Sequence, residues 1–466
     1  MALGRRKLER QEELWIATRD VPRTMGHPFY RKLNQLLAEA EFDAYVESLC
    51  EPFYAAHLGR PGIPPGVYFR MLIVGYFEGI DSQRGIAWRC ADSLSLKSFL
   101  GHSLTEATPD HSSLTVIRKR LSMEVHEQVF TFVLKVSHEK RLLKGKTTAV
   151  DATLLEANAA MKSIVRRDTG EDWKEYLTRL AEEAGIENPS DEDLRRFDKK
   201  RKGKKVSNKE WVSQTDPEAR IMKMKDGRTH LAYKAEHAID LDSGLLLAAT
   251  IHHGDRADGD SLMESLVTSQ ANLILSGSDV AIRDVPADKG YHKSETLAWC
   301  QAFGIRTYIP ERKSKVRRKW TDKPEEWQDA VYGNRRRVKG RRSKRLQRLR
   351  SEHVERSFAH MCETGGARRS WLRGLVDVGK RYLMYAVGHN LGVIMRKLFG
   401  VGTPRSLQTE GKTGPASYSL PLRPLAAILT RAIRTLDVSR QMTANRVASD
   451  HRDCIGAPSH RITRAA

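Results

Sequence analysis

The sequence contains few cysteines and no long apolar run. Its five cysteines are scattered among 466 residues without a Cys-x-x-Cys pair, which argues against a zinc site and a disulfide framework. The longest apolar runs, such as LLLAAT at 245–250, are far shorter than the roughly 18 residues that span a bilayer. The basic N-terminus, MALGRRKLERQEELW, lacks the apolar stretch of a secretory signal. These absences predict a cytoplasmic protein with no membrane partner.

Positive charge is abundant and unevenly distributed. The formal net charge is +22 at pH 7, and residues 311–350 hold seventeen Lys and Arg against five Asp and Glu, a net +12. Such an excess attracts polyanions and releases counterions when nucleic acid binds. The charge therefore predicts a DNA or RNA partner, and it predicts that 311–350 is a polyanion-binding or disordered segment.

The N-terminal part of the chain has the periodicity of helices. Apolar residues recur at helical spacing in FYRKLNQLLAEAEFDAYVESLC and in GVYFRMLIVGYFEGI, with a break at GRPGIPPG. We predict a helical, DNA-binding N-terminal domain at 1–130. After about 401, Pro, Gly, Ser, Thr and Arg dominate, and we predict a basic, loosely ordered tail at 401–466.

From about 146 the pattern changes to strands. TTAVDATLLEA, HLAYKAEHAIDL and GLLLAATIHH read as strands, and the last two are separated by a hairpin-type turn, DSG. Helix-like and strand-like segments then alternate up to RTYIPE. This order predicts an α/β fold with a mixed sheet flanked by helices. A charged insertion at about 161–224 is expected to form surface helices or a mobile loop.

Three carboxylates occupy positions that packing alone would not select. We expect Asp151 to end the first strand, Asp288 to end the short strand in DVPADKGYHKSET, and Glu355 to lie in the first turns of the helix after the basic run. Two strand ends and a crossing helix can converge on one point. Oxygen-only ligands suit Mg²⁺ or Mn²⁺, and two such ions can activate an attacking oxygen and stabilise a leaving oxygen at a phosphodiester.

The sequence motifs around these carboxylates resemble those of the DDE transposases of bacterial insertion sequences. The matching words are VDATLLEA, SQTDPEARIMKMKDGRTHLAYKAEHAIDLDSG, DVPADKGYHKSETL and EHVERSFAHMCETGGARRSWLRG. They come in the family's order, and the helical region at about 60–125 is similar to the N-terminal domain that these transposases carry. The resemblance spans roughly 60–400.

The resemblance implies a fold, an activity and a site. It implies a retroviral-integrase-like, RNase H-like catalytic domain at 145–400, with Asp151, Asp288 and Glu355 as the metal-binding triad and Mg²⁺ as the cofactor, Mn²⁺ being a possible substitute. The implied function is binding of the terminal inverted repeats of an insertion sequence, followed by metal-dependent cleavage and strand transfer. The implied partners are double-stranded DNA and further copies of the chain, in a dimer or higher oligomer associated with the nucleoid.

Two departures from the family pattern leave alternatives open. Related transposases often carry a tyrosine and an arginine before the catalytic glutamate and a lysine after it. Here Ser351 lies four residues before Glu355, and Cys362 lies seven after it. Glu352 is close enough in sequence to be mistaken for the ligand. A catalytically inactive DNA-binding protein of transposon origin, and a nuclease that does not transfer strands, are the competing functions.

Basic and aromatic residues near these motifs are candidate DNA contacts. They lie in the helical region, after Asp288 and around Glu355. The candidates are Arg84, Arg118, Lys119, Arg120, Lys289, Tyr291, Lys293, Arg348, Arg350 and Arg356. Because such residues mostly contact phosphates, they do not identify the element that reads bases.

Overall fold

The computed structural model describes residues 26–55, 62–202, 206–313 and 318–409. The chain divides into two compact units, Met1–Leu407 and Gln408–Ala466, and all contacts described below lie within the first. Most of the predicted basic tail, residues 410–466, lies outside the described residues. No helix in the described part of the chain is long and apolar enough to cross a membrane.

Seven α-helices occupy the described part of the N-terminal region, as the apolar periodicity predicts. Side chains of Ser82, Asp110 and Ser122 cap three of them by accepting hydrogen bonds from backbone amides of the first turn. The helices are α1 (Pro28–Glu39), α2 (Phe42–Cys50), α3 (Pro65–Glu78), α4 (Gln83–Ala91), α5 (Leu94–Phe99), α6 (His111–Arg120) and α7 (Met123–Glu139).

The later part of the chain alternates strands and helices, and the fold is mixed α/β. The strands are β1 (Thr148–Glu156), β2 (Ile164–Arg166), β3 (Trp211–Ser213), β4 (Arg220–Lys223), β5 (Thr229–Asp240), β6 (Leu246–His253), β7 (Asp284–Pro286) and β8 (Arg306–Tyr308). The helices are α8 (Trp173–Glu183), α9 (Asp191–Lys200), α10 (Asp258–Leu275), α11 (Ser294–Ala302), α12 (Glu325–Val338), α13 (Arg341–Phe358), α14 (Leu375–Phe399) and α15 (Ser406–Thr409).

Antiparallel and parallel pairings build the sheet that carries the candidate site. β5 is central and pairs antiparallel with β1, β4 and β6, whereas β7 and β8 pair in parallel. Parallel bridges from Thr147 to Asp284 and from Val150 to Ala287 place β7 beside β1. The structure is therefore mixed α/β, with an antiparallel four-stranded sheet to which two isolated parallel bridges join the β7–β8 pair.

Helix α14 packs against both α3 and α7 and joins the N-terminal helices to the sheet in one apolar core. Gly388 makes the close approach to α3 possible, since a Cβ there would lie 2.3 Å from Cδ1 of Tyr76. Most of α14 is buried, including Tyr382, Leu391 and Ile394. The N-terminal helices are therefore held directly against the part of the chain that contains the sheet.

Two predicted element positions are wrong. Asp151 is the fourth residue of β1 and not its last, because buried Thr153 and Leu155 continue the strand and its pairing with β5 extends to Glu156. Glu355 lies in the last turn of α13 and not in its first turns. That helix begins earlier because the basic run itself carries an inward stripe at helical spacing, which comprises Ser343, Leu346, Arg350, Val354 and Ser357.

The charged insertion at 161–224 contains β2, α8, α9 and β3, so its described residues include the expected helices. Trp173, Tyr176 and Trp211 form its aromatic cluster, and Arg166 lies over the rings of Tyr176 and Trp211. The last residues of this range do not belong to the insertion as predicted. They form β4, which pairs with β5 in the main sheet.

Buried His126 is expected to make stability depend on pH. Burial lowers its pKa to about 4, and its Nε2 lies 3.3 Å from the Tyr68 hydroxyl. At pH values between about 4 and the ordinary pKa of 6.5, His126 binds a proton in the unfolded chain but not in the folded chain. The free energy of unfolding therefore falls as the pH falls through this range. In urea unfolding, His126→Gln should cost less at pH 5 than at pH 7.5, by about 2 kcal/mol. Gln128→Ala, on the same helix, should show no such difference. Equal costs of His126→Gln at both pH values would contradict the prediction.

Candidate active site

Asp151 and Asp288 are brought together by neighbouring strands. The parallel bridge joins Val150 to Ala287, and each aspartate directly follows one of these residues. Side chains alternate along extended backbone, so both aspartates point to the face opposite the bridged pair. Asp288 comes two residues after the end of β7 and precedes a single 3₁₀ turn, Lys289–Tyr291. The structure therefore places two carboxylates side by side at this position of the sheet.

Asp151 is partly buried and carries a counter-charge. Its Oδ2 accepts a short hydrogen bond from Arg350 Nη1, and its Oδ1 accepts one of 2.8 Å from the amide of Ala152. Burial raises the pKa of Asp151, and the charges of Asp288 and Asp258 add to that increase, whereas Arg350 opposes it. A site that crowds carboxylates in this way favours a cation.

Asp258, at the first position of α10, belongs to the same group and was not predicted. Its Oδ1 lies 2.6 Å from the Nζ of Lys234, which is only 4% exposed. Its Oδ2 packs against Gly290, where a Cβ would lie 2.2 Å away, so a side chain at that position would displace the Asp258 carboxylate. An aspartate in the first turn of a helix resembles an ordinary favourable helix-end charge, and this is why the sequence did not single it out.

The side chain of Glu355 is exposed, and no hydrogen bond or ion pair connects that side chain to another described residue. Arg350, five residues earlier, points at Asp151, and five residues rotate a helix by about 140° beyond a full turn. Among the residues that the structure describes, no group of three His, Cys, Asp or Glu side chains is arranged to hold a metal ion. The structure thus brings Asp151 and Asp288 together and leaves Glu355 apart.

Helix α13 is fixed against the sheet near its C-terminal end. His237, which is paired with Asp151 across β1 and β5, shares a hydrogen bond of 2.8 Å with the Ser357 hydroxyl. Its ring stacks on Phe358 with centroids 4.0 Å apart, and its Nε2 lies 2.7 Å from the Tyr382 hydroxyl. These contacts fix the turn of α13 that carries Glu355.

The N-terminal end of α13 is fixed by other contacts. Gln347 donates hydrogen bonds to the backbone oxygens of Ala287 and Tyr308, at 3.2 and 2.6 Å. Arg342 donates to fully buried Asp284 at 2.6 Å. Because Ala287 precedes Asp288, Gln347 ties the helix directly to the strand that positions one of the two adjacent carboxylates.

Two predicted DNA contacts are buried, which removes them from the surface. Arg118 is 8% exposed, and Tyr291 is 1% exposed and donates a hydrogen bond of 2.8 Å to Glu236. The sequence predicted that both side chains are exposed, Arg118 because it lies in a basic run and Tyr291 because it follows Asp288. Tertiary packing covers them instead. Buried Glu236 also accepts hydrogen bonds from Ser261 and Ser265 of α10, so Tyr291 anchors the turn after Asp288 to that helix.

The other predicted DNA contacts differ in their availability. Arg84, Lys119, Lys289 and Arg348 are exposed. Arg120 lies over the ring of Tyr54, with 4.6 Å between its Cζ and the ring centroid. The rest are ion-paired: Lys293 with Asp260 at 2.8 Å, Arg356 with Glu352 at 2.8 Å, and Arg350 with Asp151.

A cleft of about 700 Å³ lies beside the paired aspartates, lined by Ala152 and Asp258. Its walls carry both signs of charge. The basic members are Lys223, Lys225, Lys234, Arg256, Arg312 and Arg368, and the acidic ones are Glu156, Asp226, Asp255, Asp258 and Glu363. This cleft gives an extended ligand access to the neighbourhood of Asp151.

Two parts of the chain match known protein families. Residues 18–120 match a transposase domain, DUF772, and residues 300–395 match a transposase DDE domain. The second match includes α13 and Glu355 but neither Asp151 nor Asp288. No curated protein and no solved structure matches the chain.

Transposase domains in two separate parts of the chain indicate a transposase. Together they support a DDE transposase of the insertion-sequence type, which confirms the resemblance seen in the sequence. Transposases of this class cut DNA and generally use divalent metal ions.

Proposed function

We propose that the protein binds the terminal inverted repeats of an insertion sequence, cleaves the DNA at its ends in a metal-dependent reaction, and joins the freed 3′-hydroxyl to target DNA. The adjacency of Asp151 and Asp288, set by the bridge between Val150 and Ala287, is the observation that carries the proposal. These two carboxylates lie beside a cleft, and they would supply two of the oxygen ligands of a metal ion that promotes phosphodiester cleavage.

The residues present fit a hard divalent cation in donor type and in charge. Asp151 and Asp288 would hold it, with Glu355 as the third ligand from α13, and Mg²⁺ is the proposed ion. Burial is the main cause of the raised pKa of Asp151, and the charges of Asp288 and Asp258 add to it although Arg350 opposes it; a bound cation would favour the ionised carboxylate. Bound there, the cation would supply Lewis acidity for in-line displacement at a phosphodiester.

The remaining chemistry belongs to the chain. Arg350 balances the charge of Asp151 and keeps its carboxylate oriented towards α13. Exposed Arg345 and Arg348 of the same helix would contact DNA phosphates and position a duplex along the cleft. The proposed architecture is an RNase H-like catalytic domain at 145–400 behind a DNA-binding helical domain at 1–130.

The direct test is cleavage of a labelled duplex that carries the element's own end, with a target plasmid present. We expect nicking at the end and labelled joined product with 5 mM Mg²⁺ or Mn²⁺, and neither product with EDTA or with Ca²⁺ in place of Mg²⁺. Ca²⁺ serves as the control because it preserves charge but prefers larger and more flexible coordination. Cleavage that persists in EDTA would contradict the metal-dependent mechanism.

The ion pair between Arg350 and Asp151, and the separation of Glu355 from the two aspartates, favour a second candidate, a DNA-binding protein that does not cut. In the same assay that protein would retard the duplex with every cation and yield no nicked strand. A nuclease without strand transfer would nick the end and leave the plasmid unlabelled. The three functions therefore give three distinguishable product patterns.

Joining two ends in one event requires more than one active site, and we propose a dimer or larger oligomer on DNA. Light scattering of the protein with and without the end duplex measures this directly. A complex with one chain and one duplex as its largest species would contradict the proposal.

A further inference from the structure

A cavity of about 300 Å³ lies between the N-terminal helices and α14. Its walls come from α3, α4, α6 and α14, and from the loop that precedes α14. Apolar and aromatic side chains form most of the lining, among them Tyr68, Leu72, Ile86, Trp371 and Met384. A cavity of this size and lining accommodates a small organic group.

Basic side chains outnumber acidic ones in the lining. Arg118, Lys380 and Arg381 face the cavity, and Asp81 is the one acidic residue among its described lining residues. Burial lowers the pKa of Lys380; the charge of Arg118 adds to that decrease, and Asp377 opposes it. The cavity therefore has an excess of positive charge.

Arg118 has donors without acceptors. Its side chain is 9% exposed, and its Nε and Nη1 are buried with no hydrogen-bond partner in the described part of the chain. Its closest opposite charge is Asp377, whose Oδ2 lies 3.5 Å from Nε. A buried guanidinium with unused donors is costly, and such groups in folded proteins are normally satisfied by an unseen water or ion.

The other two cations already have partners. Lys380 Nζ donates to the backbone oxygen of Arg118 at 3.1 Å. Arg381 donates to the backbone oxygen of Asp81 and to the Tyr385 hydroxyl, and Asp81 accepts a hydrogen bond of 2.6 Å from the indole of Trp371. Among the basic residues of the lining, Arg118 is the one with buried side-chain nitrogens that have no hydrogen-bond partner in the described part of the chain.

We propose that this cavity binds a phosphate group attached to an apolar or aromatic body, with Arg118 as the principal donor. Guanidinium groups bind phosphate oxygens through several directed hydrogen bonds, and nearby Lys380 and Arg381 add long-range attraction. The apolar walls of Leu72, Ile86 and Met384 take the rest of the ligand. The phosphate comes either from a free small molecule or from DNA, and the inference does not depend on the proposed catalysis.

The test measures binding of phenyl phosphate, inorganic phosphate and benzoate to the full-length protein by calorimetry. We expect phenyl phosphate to bind about tenfold more tightly than inorganic phosphate, because its ring is removed from water. Benzoate, which has the ring but a weaker anion, should also bind more weakly than phenyl phosphate. No binding of phenyl phosphate at millimolar concentration, or tighter binding of benzoate, would overturn the proposal.

Three variants locate the site. Arg118→Gln should weaken phenyl phosphate binding by about tenfold or more, because it removes a charged donor. Lys135→Gln, which removes one exposed positive charge from α7, should leave binding within about twofold. Leu72→Trp fills the cavity from a partly exposed position without changing charge, and it should abolish phenyl phosphate binding. This variant tests the site independently if Arg118→Gln does not fold. Unchanged affinity in a folded Arg118→Gln or Leu72→Trp would place the ligand elsewhere.

A last titration identifies the source of the phosphate. If the site takes a phosphate of DNA, a duplex should displace phenyl phosphate from the wild type, and Leu72→Trp should bind DNA more weakly than Lys135→Gln does. If it takes a free molecule, protein, duplex and phenyl phosphate should form a ternary complex. Either result supports the site.

Discussion

Replacing Asp151 with asparagine is expected to lower the rate of DNA end cleavage by on the order of a thousandfold. The substitution keeps the shape of the side chain and removes the charge that would hold a cation next to Asp288. It also removes the ion pair with Arg350, whose side chain is 14% exposed. DNA affinity should stay within about twofold, because the lost charge is negative and does not contact phosphate.

The rate is measured with a 5′-labelled end duplex under single-turnover conditions, so that binding and cleavage are separated. Asp279→Asn is the matched control, since that aspartate is exposed and lies away from the paired carboxylates, in the loop before β7. It should cleave at the wild-type rate. If Asp151→Asn cleaves as fast as Asp279→Asn, Asp151 is not a metal ligand, and the assignment of the triad is wrong.

Much of the fold follows from local patterns. Alternating apolar residues and the DSG turn predict β1, β5 and β6, and the helix signals predict α10 and α11, because these elements depend on neighbours in sequence. The adjacency of Asp151 and Asp288 was also predictable in outline, since each directly follows a short apolar run in the sequence. The exact strand end was not, because pairing with β5 decides how far β1 continues.

Contacts between distant parts of the chain account for what the sequence did not show. Lys234 and Asp258 pair across β5 and α10, and neither residue carries a local signal of that contact. The basic run at 311–350 is rich enough in charge to suggest disorder, yet buried Ser343 and Leu346 make part of it a packed helix. The sequence predicts that Arg118 is an exposed cation, but α14 packs over it.

The same long-range packing shapes the expectation for Glu355. Ser343, Leu346, Arg350, Val354 and Ser357 form the inward stripe of α13, and Glu355 lies outside it. A site completed by Glu355 therefore needs its flexible side chain to reach around the helix towards Asp151, or α13 to rotate, when the cation and DNA bind. Asp258, which already affects the pKa of Asp151, is the competing third carboxylate.

Glu355→Gln is expected to reduce cleavage by at least about a hundredfold, whereas Glu352→Gln should change it by less than about threefold. Both are exposed glutamates on the same helix, three residues apart, and each substitution removes one negative charge. Glu352→Gln additionally loses the ion pair with Arg356, an exposed interaction worth little. Single-turnover cleavage of the end duplex, with the Mn²⁺ concentration varied, compares the two.

The metal dependence separates a ligand from a structural residue. Loss of a ligand should raise the Mn²⁺ concentration needed for half-maximal cleavage, whereas loss of a packing contact should lower the rate at every concentration. If Glu352→Gln shows the larger loss, the helix presents the other glutamate to the site. If neither variant is impaired while Asp258→Asn is, the third carboxylate comes from the start of α10, and the ion pair between Asp258 and Lys234 must open before the cation binds.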